Sequence, residues 1–132
     1  MTQHERAKER VAFAHNDLRA AEVLMRENIF NEVCFHAQQC AEKAIKSFLV
    51  FKGKPVPKTH RLVDLLEDAV KLEPTLESFH ESCLILDQYY IPARYPDAVI
   101  GSKPSGLLLR SEAQEALEAA RSIFESIRSR PS

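Results

Sequence analysis

The sequence predicts an all-α fold, an up-and-down antiparallel bundle of four long helices plus one short helix. Three observations carry this expectation. Apolar residues recur at alternating steps of three and four over most of the chain, the period of a helix with one buried face. Only three glycines occur among 132 residues, too few for a sandwich or barrel built on tight turns. The breaks between periodic segments are short, which favours antiparallel neighbours.

Each element has its own signature. Ala7, Val11, Ala14, Leu18, Ala21 and Met25 mark the buried stripe of the first helix. The second spans about residues 30–51, with Phe30, Val33, Cys34, Ala37, Ala41, Ala44, Ile45, Phe48 and Leu49 on its apolar face. Gly53 stops it, and Pro55 and Pro57 stiffen the loop that follows. Thr59 is the expected N-cap of a short third helix carrying Leu62, Leu65, Leu66 and Ala69. Pro74 suits the first turn of a fourth helix, with Leu76, Phe79, Cys83, Leu86 and Tyr90 as its stripe. Three prolines and two glycines break the pattern over residues 91–106, and a last helix runs over about residues 108–129. Its inner face is Ala113, Ala116, Leu117, Ala120, Ile123, Phe124 and Ile127.

Length predicts a single domain over residues 1–132. A hydrophobic fraction of 45% and a charged fraction of 28% exclude wholesale disorder. Eighteen basic residues oppose nineteen acidic ones, so any anion site must come from local clustering rather than from general charge. Cys34, Cys40 and Cys83 form no CxxC pair, which fits reduced thiols. The charged start has no secretory core and no apolar run is long enough to span a bilayer. The expectation is a soluble cytoplasmic protein that needs no membrane, metal or cofactor.

Residues 43–61 contain no acid, yet hold Lys43, Lys46, Lys52, Lys54, Lys58 and Arg61. Such a run attracts anions, and the N-terminus of the third helix could add backbone donors to a phosphate site. The plainer alternative is a solvated helix face with a polar loop. Along the second helix His36, Gln39, Lys43 and Lys46 make a polar stripe beside the apolar one, flanked by Gln38 and Glu42. These side chains either support a ligand site or bond neighbouring helices. His36 and Cys40 stand one turn apart, but no further His or Cys pair completes a metal site. In the segment LDQYYIPARYPDA, three tyrosines and Arg94 surround two prolines. Arg94 and Tyr95 there offer a cationic fork and a stacking ring, or else a stiff interhelical tie.

Residues 35–66, with their QQCAEKAIK and KTHRL blocks, and residues 86–98, with YYIPARYP, strongly resemble the HEPN domain family. DLRAAEVLMRENIFNEVCF, just before them, also resembles the family's first helix pair. The resemblance implies an all-α bundle that self-associates. It further implies an association with nucleotides or RNA, beside a small nucleotidyltransferase in a two-protein, toxin–antitoxin-like system. The family's ribonuclease branch carries Arg, four to six residues, then His in the C-terminal half. Here His80 is the last histidine, with no arginine at that distance before it. Arg10 and His15 match literally, but on the first helix, where five residues turn the two side chains about 140° apart.

No Gly-rich phosphate loop, GxSxG elbow or HExxH pair supplies another reaction. The reading is therefore a non-catalytic nucleotide- or RNA-binding module with no catalytic or metal residues. Its expected ligand site is Lys43, Lys46, Lys54, Lys58, His60, Arg94 and Tyr95 gathered at one end of the bundle, supported by His36, Gln39 and Glu42. A metal-independent ribonuclease toxin and a purely structural interaction domain are the alternatives. Ile91, Val99, Ile100, Leu107, Leu108 and Leu109 stand outside the helical stripes and predict a homodimer surface.

Overall fold

The computed structural model describes residues 1–90 and 106–130. Helix α1 (Gln3–Arg26) starts on a capping box: the Glu5 amide donates to Thr2 Oγ1 at 3.1 Å, and the Thr2 amide to Glu5 Oε2 at 3.2 Å. It ends on Asn28, whose φ of 62° is left-handed. The Asn28 and Ile29 amides there donate back to Met25 and Leu24. That tight reversal lets α2 (Phe30–Phe51) fold straight back along α1. Gly53 repeats the device at the end of α2, with φ 75° and amides 53 and 54 donating to the carbonyls of Val50 and Leu49. A Cβ at Gly53 would meet Gln3 Nε2 at 3.0 Å, so the start of α1 lies against the end of α2.

Helix α3 (Leu62–Leu72) begins differently from expectation. Its N-cap is Arg61, and Thr59 accepts only the Arg61 amide. The orphan amides of Leu62 and Val63 instead donate to the two oxygens of Asp87, at 2.6 and 3.1 Å. A carboxylate 24 and 25 residues away is thus the real cap, and it occupies the donors that a phosphate would need. The fourth periodic segment is also more broken than its stripe suggests. Pro74 opens a 3-10 helix, Pro74–Phe79, and only then does α4 (His80–Asp87) begin.

Helix α5 (Arg110–Arg128) closes the fold. The chain approaching it is held by Asn31, which donates to the Gly106 carbonyl at 2.8 Å and accepts the Leu108 amide at 2.9 Å. Leu108 is consequently buried, against the expectation that it stands on a partner surface. Ile91, Val99 and Ile100 lie outside the described residues.

Among the described residues every regular element is helical, and one continuous apolar core draws on all five α-helices. Helix α2 is its axis, packing against α1, α3, α4 and α5. That central place explains why Gln38, Cys40, Glu42 and Ser47 are buried along with the predicted stripe. All three cysteines are free and buried, and burial pushes the Cys34 and Cys83 thiols up to about 12. No described helix is long and apolar enough to cross a membrane.

The Asp87 cap has a measurable consequence. Asp87→Ala leaves two helix amides without acceptors and should lower the unfolding free energy by about 1–2 kcal/mol. Urea denaturation at neutral pH should show a lower midpoint with an unchanged slope. Asp87→Asn, which keeps one acceptor, should cost less.

Candidate functional site

Helix geometry places His36, Gln39, Lys43 and Lys46 along one flank of α2, with Glu42 and Gln38 beside it. Two carboxylates organise that flank. Asp17, from α1, accepts a hydrogen bond from His36 Nδ1 on Oδ1 at 2.9 Å. Its other oxygen accepts Lys43 Nζ at 2.5 Å. One side chain of α1 therefore spans two turns of α2. Burial pushes the Asp17 carboxyl up, but the bonds from His36 and Lys43 outweigh it and hold it below the ordinary 3.8.

Glu42 is the second centre. Its Oε2 accepts Lys46 Nζ at 2.9 Å and His60 Nδ1 at 3.1 Å, while Oε1 accepts Gln38 Nε2 at 3.3 Å. Gln38 is fully buried and also donates to the His60 carbonyl at 3.3 Å. Gln39 Nε2 donates to Gln38 Oε1 at 2.7 Å. The His60 ring lies flat on Tyr90, with centroids 4.8 Å apart and planes 15° from parallel. The outward parts of the two clusters are His60, whose side chain is 57% exposed, and Lys43, at 34%.

Of the expected site, Lys46 and His60 meet on Glu42, with the supporting Gln39 joined through Gln38, while Lys43 meets the supporting His36 on Asp17. Lys54 does not join them. The left-handed turn at Gly53 carries it to a surface groove that it shares with Arg6, Arg10 and the exposed Phe13. Lys58 stands exposed on the loop between α2 and α3. Arg94 and Tyr95 lie outside the described residues. The literal Arg10–His15 pair is split as helix geometry requires: His15 stacks on Phe124 of α5 at 5.6 Å, while Arg10 lines the Lys54 groove. His36 turns to Asp17 and Cys40 is wholly buried, so that pair offers a metal no shared face.

Sequence reasoning missed two residues. Asp17 carries a signal that could have found it, since it interrupts the buried stripe between Ala14, Leu18 and Ala21. A charge inside an apolar stripe requires a buried partner. Tyr90 reads as a core position, and its pairing with His60 has no local signature.

The HEPN domain family model matches residues 7–130. The chain belongs to the HEPN domain family. A curated relative in Methanocaldococcus jannaschii, named "Putative toxin MJ1304", is 27% identical over 124 residues, covering 87% of this chain and 81% of its own. The crystal structure of TT1696 from Thermus thermophilus is similar with a TM-score of 0.83 and 35% identity. That alignment covers 93% of this chain and 96% of the other. The crystal structure of ST0689, an archaeal HEPN homologue, follows with a TM-score of 0.75 and 28% identity, covering 93% of this chain and 95% of its own. This HEPN bundle therefore shares its helical architecture with solved proteins over nearly its whole length.

The depressed Asp17 carboxyl links stability to acid. A carboxyl whose folded-state value lies below its unfolded one contributes stability above the unfolded value and loses it as pH falls through the folded one. The Asp17 contribution should thus be complete above about pH 5 and fade below the ordinary 3.8. Asp17→Asn should lower stability at pH 7 by about 1–3 kcal/mol, the scale of a disturbed buried polar group. Urea midpoints compared from pH 7 to pH 3 should then show the variant and the parent converging in acid.

Proposed function

We propose that this HEPN domain is a non-catalytic nucleotide- or RNA-binding module, acting with a small nucleotidyltransferase partner in a toxin–antitoxin-like pair. The observation that carries the reading is the stack of His60 on Tyr90. It joins the basic segment to the tyrosine–arginine segment, because Arg94 follows Tyr90 by only four residues. A fully extended chain of that length reaches at most about 14 Å. On that ground of sequence proximity the proposed site joins Arg94 and Tyr95 to Lys43, Lys46 and His60. A ligand phosphate would take the remaining donors of Lys43 and the fork of Arg94, and a base would stack on Tyr95. Lys58 adds an exposed cation on the loop that carries His60. The name of the Methanocaldococcus relative supports the toxin side of the reading.

A specific observation favours a second reading, a metal-independent ribonuclease. His36 and His60 each set Nδ1 against a buried carboxylate, and a neutral imidazole donating there has Nε2 as the proton acceptor that a general base requires. Cleavage of RNA in the presence of a chelator, lost in His36→Asn or His60→Asn, would establish it over the first reading.

Binding of ATP, GTP and a short RNA, titrated at low and at moderate salt, tests the first reading. Affinity should fall steeply with salt, as it does when phosphate contacts dominate. Lys43→Ala and Arg94→Ala should each weaken binding about tenfold without lowering the melting temperature of the free protein by more than a few degrees. Absence of binding at low salt would leave a structural interaction domain. The nucleotidyltransferase partner should co-purify with this chain when the neighbouring reading frames are expressed together.

We also propose a homodimer. Leu107 is 70% and Leu109 56% exposed beside the exposed Ile29, an apolar patch that a second copy would cover. Light scattering at tens of micromolar should give a particle of twice the 15.0 kDa chain mass. Leu107→Glu combined with Leu109→Glu should return it to the monomer.

A further inference from the structure

A separate cavity of about 410 Å³ opens between α1, α2 and α5, away from the His60–Tyr90 network. It falls within the usual range of small-molecule sites. Val11, Phe48, Phe51 and Ile127 form its walls. Lys8, Lys52, Arg128 and Arg130 stand around it, and Glu73 is the only acid that lines it among the described residues. That acid is already bound by Arg130 Nη1 at 3.0 Å. Arg128 is likewise paired, with Glu125 at 2.6 Å. Lys8 and Lys52 pair with no carboxylate among the described residues. Lys52 instead rests over the Phe48 and Phe51 rings, 5.7 and 5.9 Å from their centroids. Arg130 Nε is buried without an acceptor, an unmet donor on the same side.

Apolar walls under a rim that holds two lysines without carboxylate partners among the described residues call for a ligand of matching polarity. The walls offer little to a nucleobase. Lys52 lies over the Phe51 ring, and His4 packs against the same ring in a T-shaped contact with centroids 4.6 Å apart. The one hydroxyl in the wall, Ser47, already donates to the Ala44 carbonyl at 2.7 Å. A base would bury its donors and acceptors there without partners, a loss larger than the dispersion energy of its fit. An aliphatic chain has no such groups. We propose that this cavity binds a medium-chain carboxylate, its alkyl chain between Val11, Phe48 and Ile127 and its head group at Lys8, Lys52 and Arg130. The site is independent of the nucleotide or RNA reading and uses none of its residues.

Isothermal titration with octanoate, decanoate and dodecanoate below their micellar concentrations, on the full chain, tests the proposal. Affinity should rise about threefold to fourfold with each methylene until the cavity is filled, the scale of burying one CH₂. The heat-capacity change should be negative, as expected for apolar burial. Decanol, which keeps the chain and loses the charge, should bind about tenfold more weakly, the scale of a hydrogen bond to a charged group. Lys8→Glu and Lys52→Glu, both at exposed positions that leave folding intact, should each cost about tenfold, and Lys71→Ala on α3 should cost nothing. Val11→Trp should abolish binding by filling the cavity. No binding of decanoate at millimolar concentration would overturn the proposal, and so would affinity unchanged by both charge reversals. Binding to anionic phospholipid vesicles without binding of free decanoate would overturn it too, in favour of a membrane surface contact.

Discussion

A carboxylate taken out of water must find partners within hydrogen-bonding distance, and the helix at the centre of this bundle is arranged around that demand. Asp17 ties α1 to two successive turns of α2 through His36 and Lys43. Glu42 ties α2 to the loop before α3 through His60, with Gln38 holding the same loop by its backbone. Asp87 then fixes the start of α3 to the end of α4. Three acids thus set the relative positions of four helices at their polar edges, while the apolar core supplies the driving force for bringing them together. Alanine at any of these acids would remove a positional constraint as well as an energy. Leaving its partners unpaired in a half-buried setting is the costlier part of such a change.

The helical stripes were legible because they are local. A period of 3.6 residues marks the buried face of α1, α2 and α5 whatever they pack against, and the stripe residues read from α5 are all buried. Gly53 was legible for the same reason, since a left-handed turn selects glycine at the position itself. Asn28 performs the same reversal after α1 but reads as an ordinary polar residue. What the chain could not reveal locally was its long-range pairing. Thr59 looks like a cap because caps are usually near in sequence, yet Asp87 provides it from 25 residues away. The site follows the same division. Its α2 members share a stripe and were legible together, whereas Asp17 and Tyr90 enter from other elements. The grouping of Lys54 with Lys43 failed because a single glycine between them turns the chain toward α1.

Charge is distributed differently from the impression left by the basic run. Lys43 and Lys46 are balanced by Asp17 and Glu42, so the α2 network carries orientation more than potential. Cations without acidic partners among the described residues stand instead where α1 begins and α2 ends, Lys8 and Lys52 on one side of that junction and Arg6, Arg10 and Lys54 on the other. Long-range attraction of an anion would come from this second group, since uncompensated charges generate the field that steers a ligand. Recognition at close range suits the α2 network, because a lysine and two imidazoles held by buried carboxylates present donors and acceptors in fixed directions. A cation fixed in this way loses little side-chain entropy when a ligand arrives, and preorganisation of this kind raises affinity without any added contact.

The same geometry bears on catalysis. An arginine and a histidine cooperate on one phosphodiester only if both reach it, and Arg10 and His15 are committed to opposite sides of α1. The imidazoles that remain candidates, His36 and His60, owe their orientation to Asp17 and Glu42 and have no arginine in their hydrogen-bonded networks among the described residues. Arg94, four residues after Tyr90 in the sequence, lies outside the described residues. Under the proposed reading, the difference between binding RNA and cleaving it would turn on the role of that arginine. The two roles ask different things of it. A binding arginine need only meet a ground-state phosphate, whereas a catalytic one must stabilise charge that develops in the transition state.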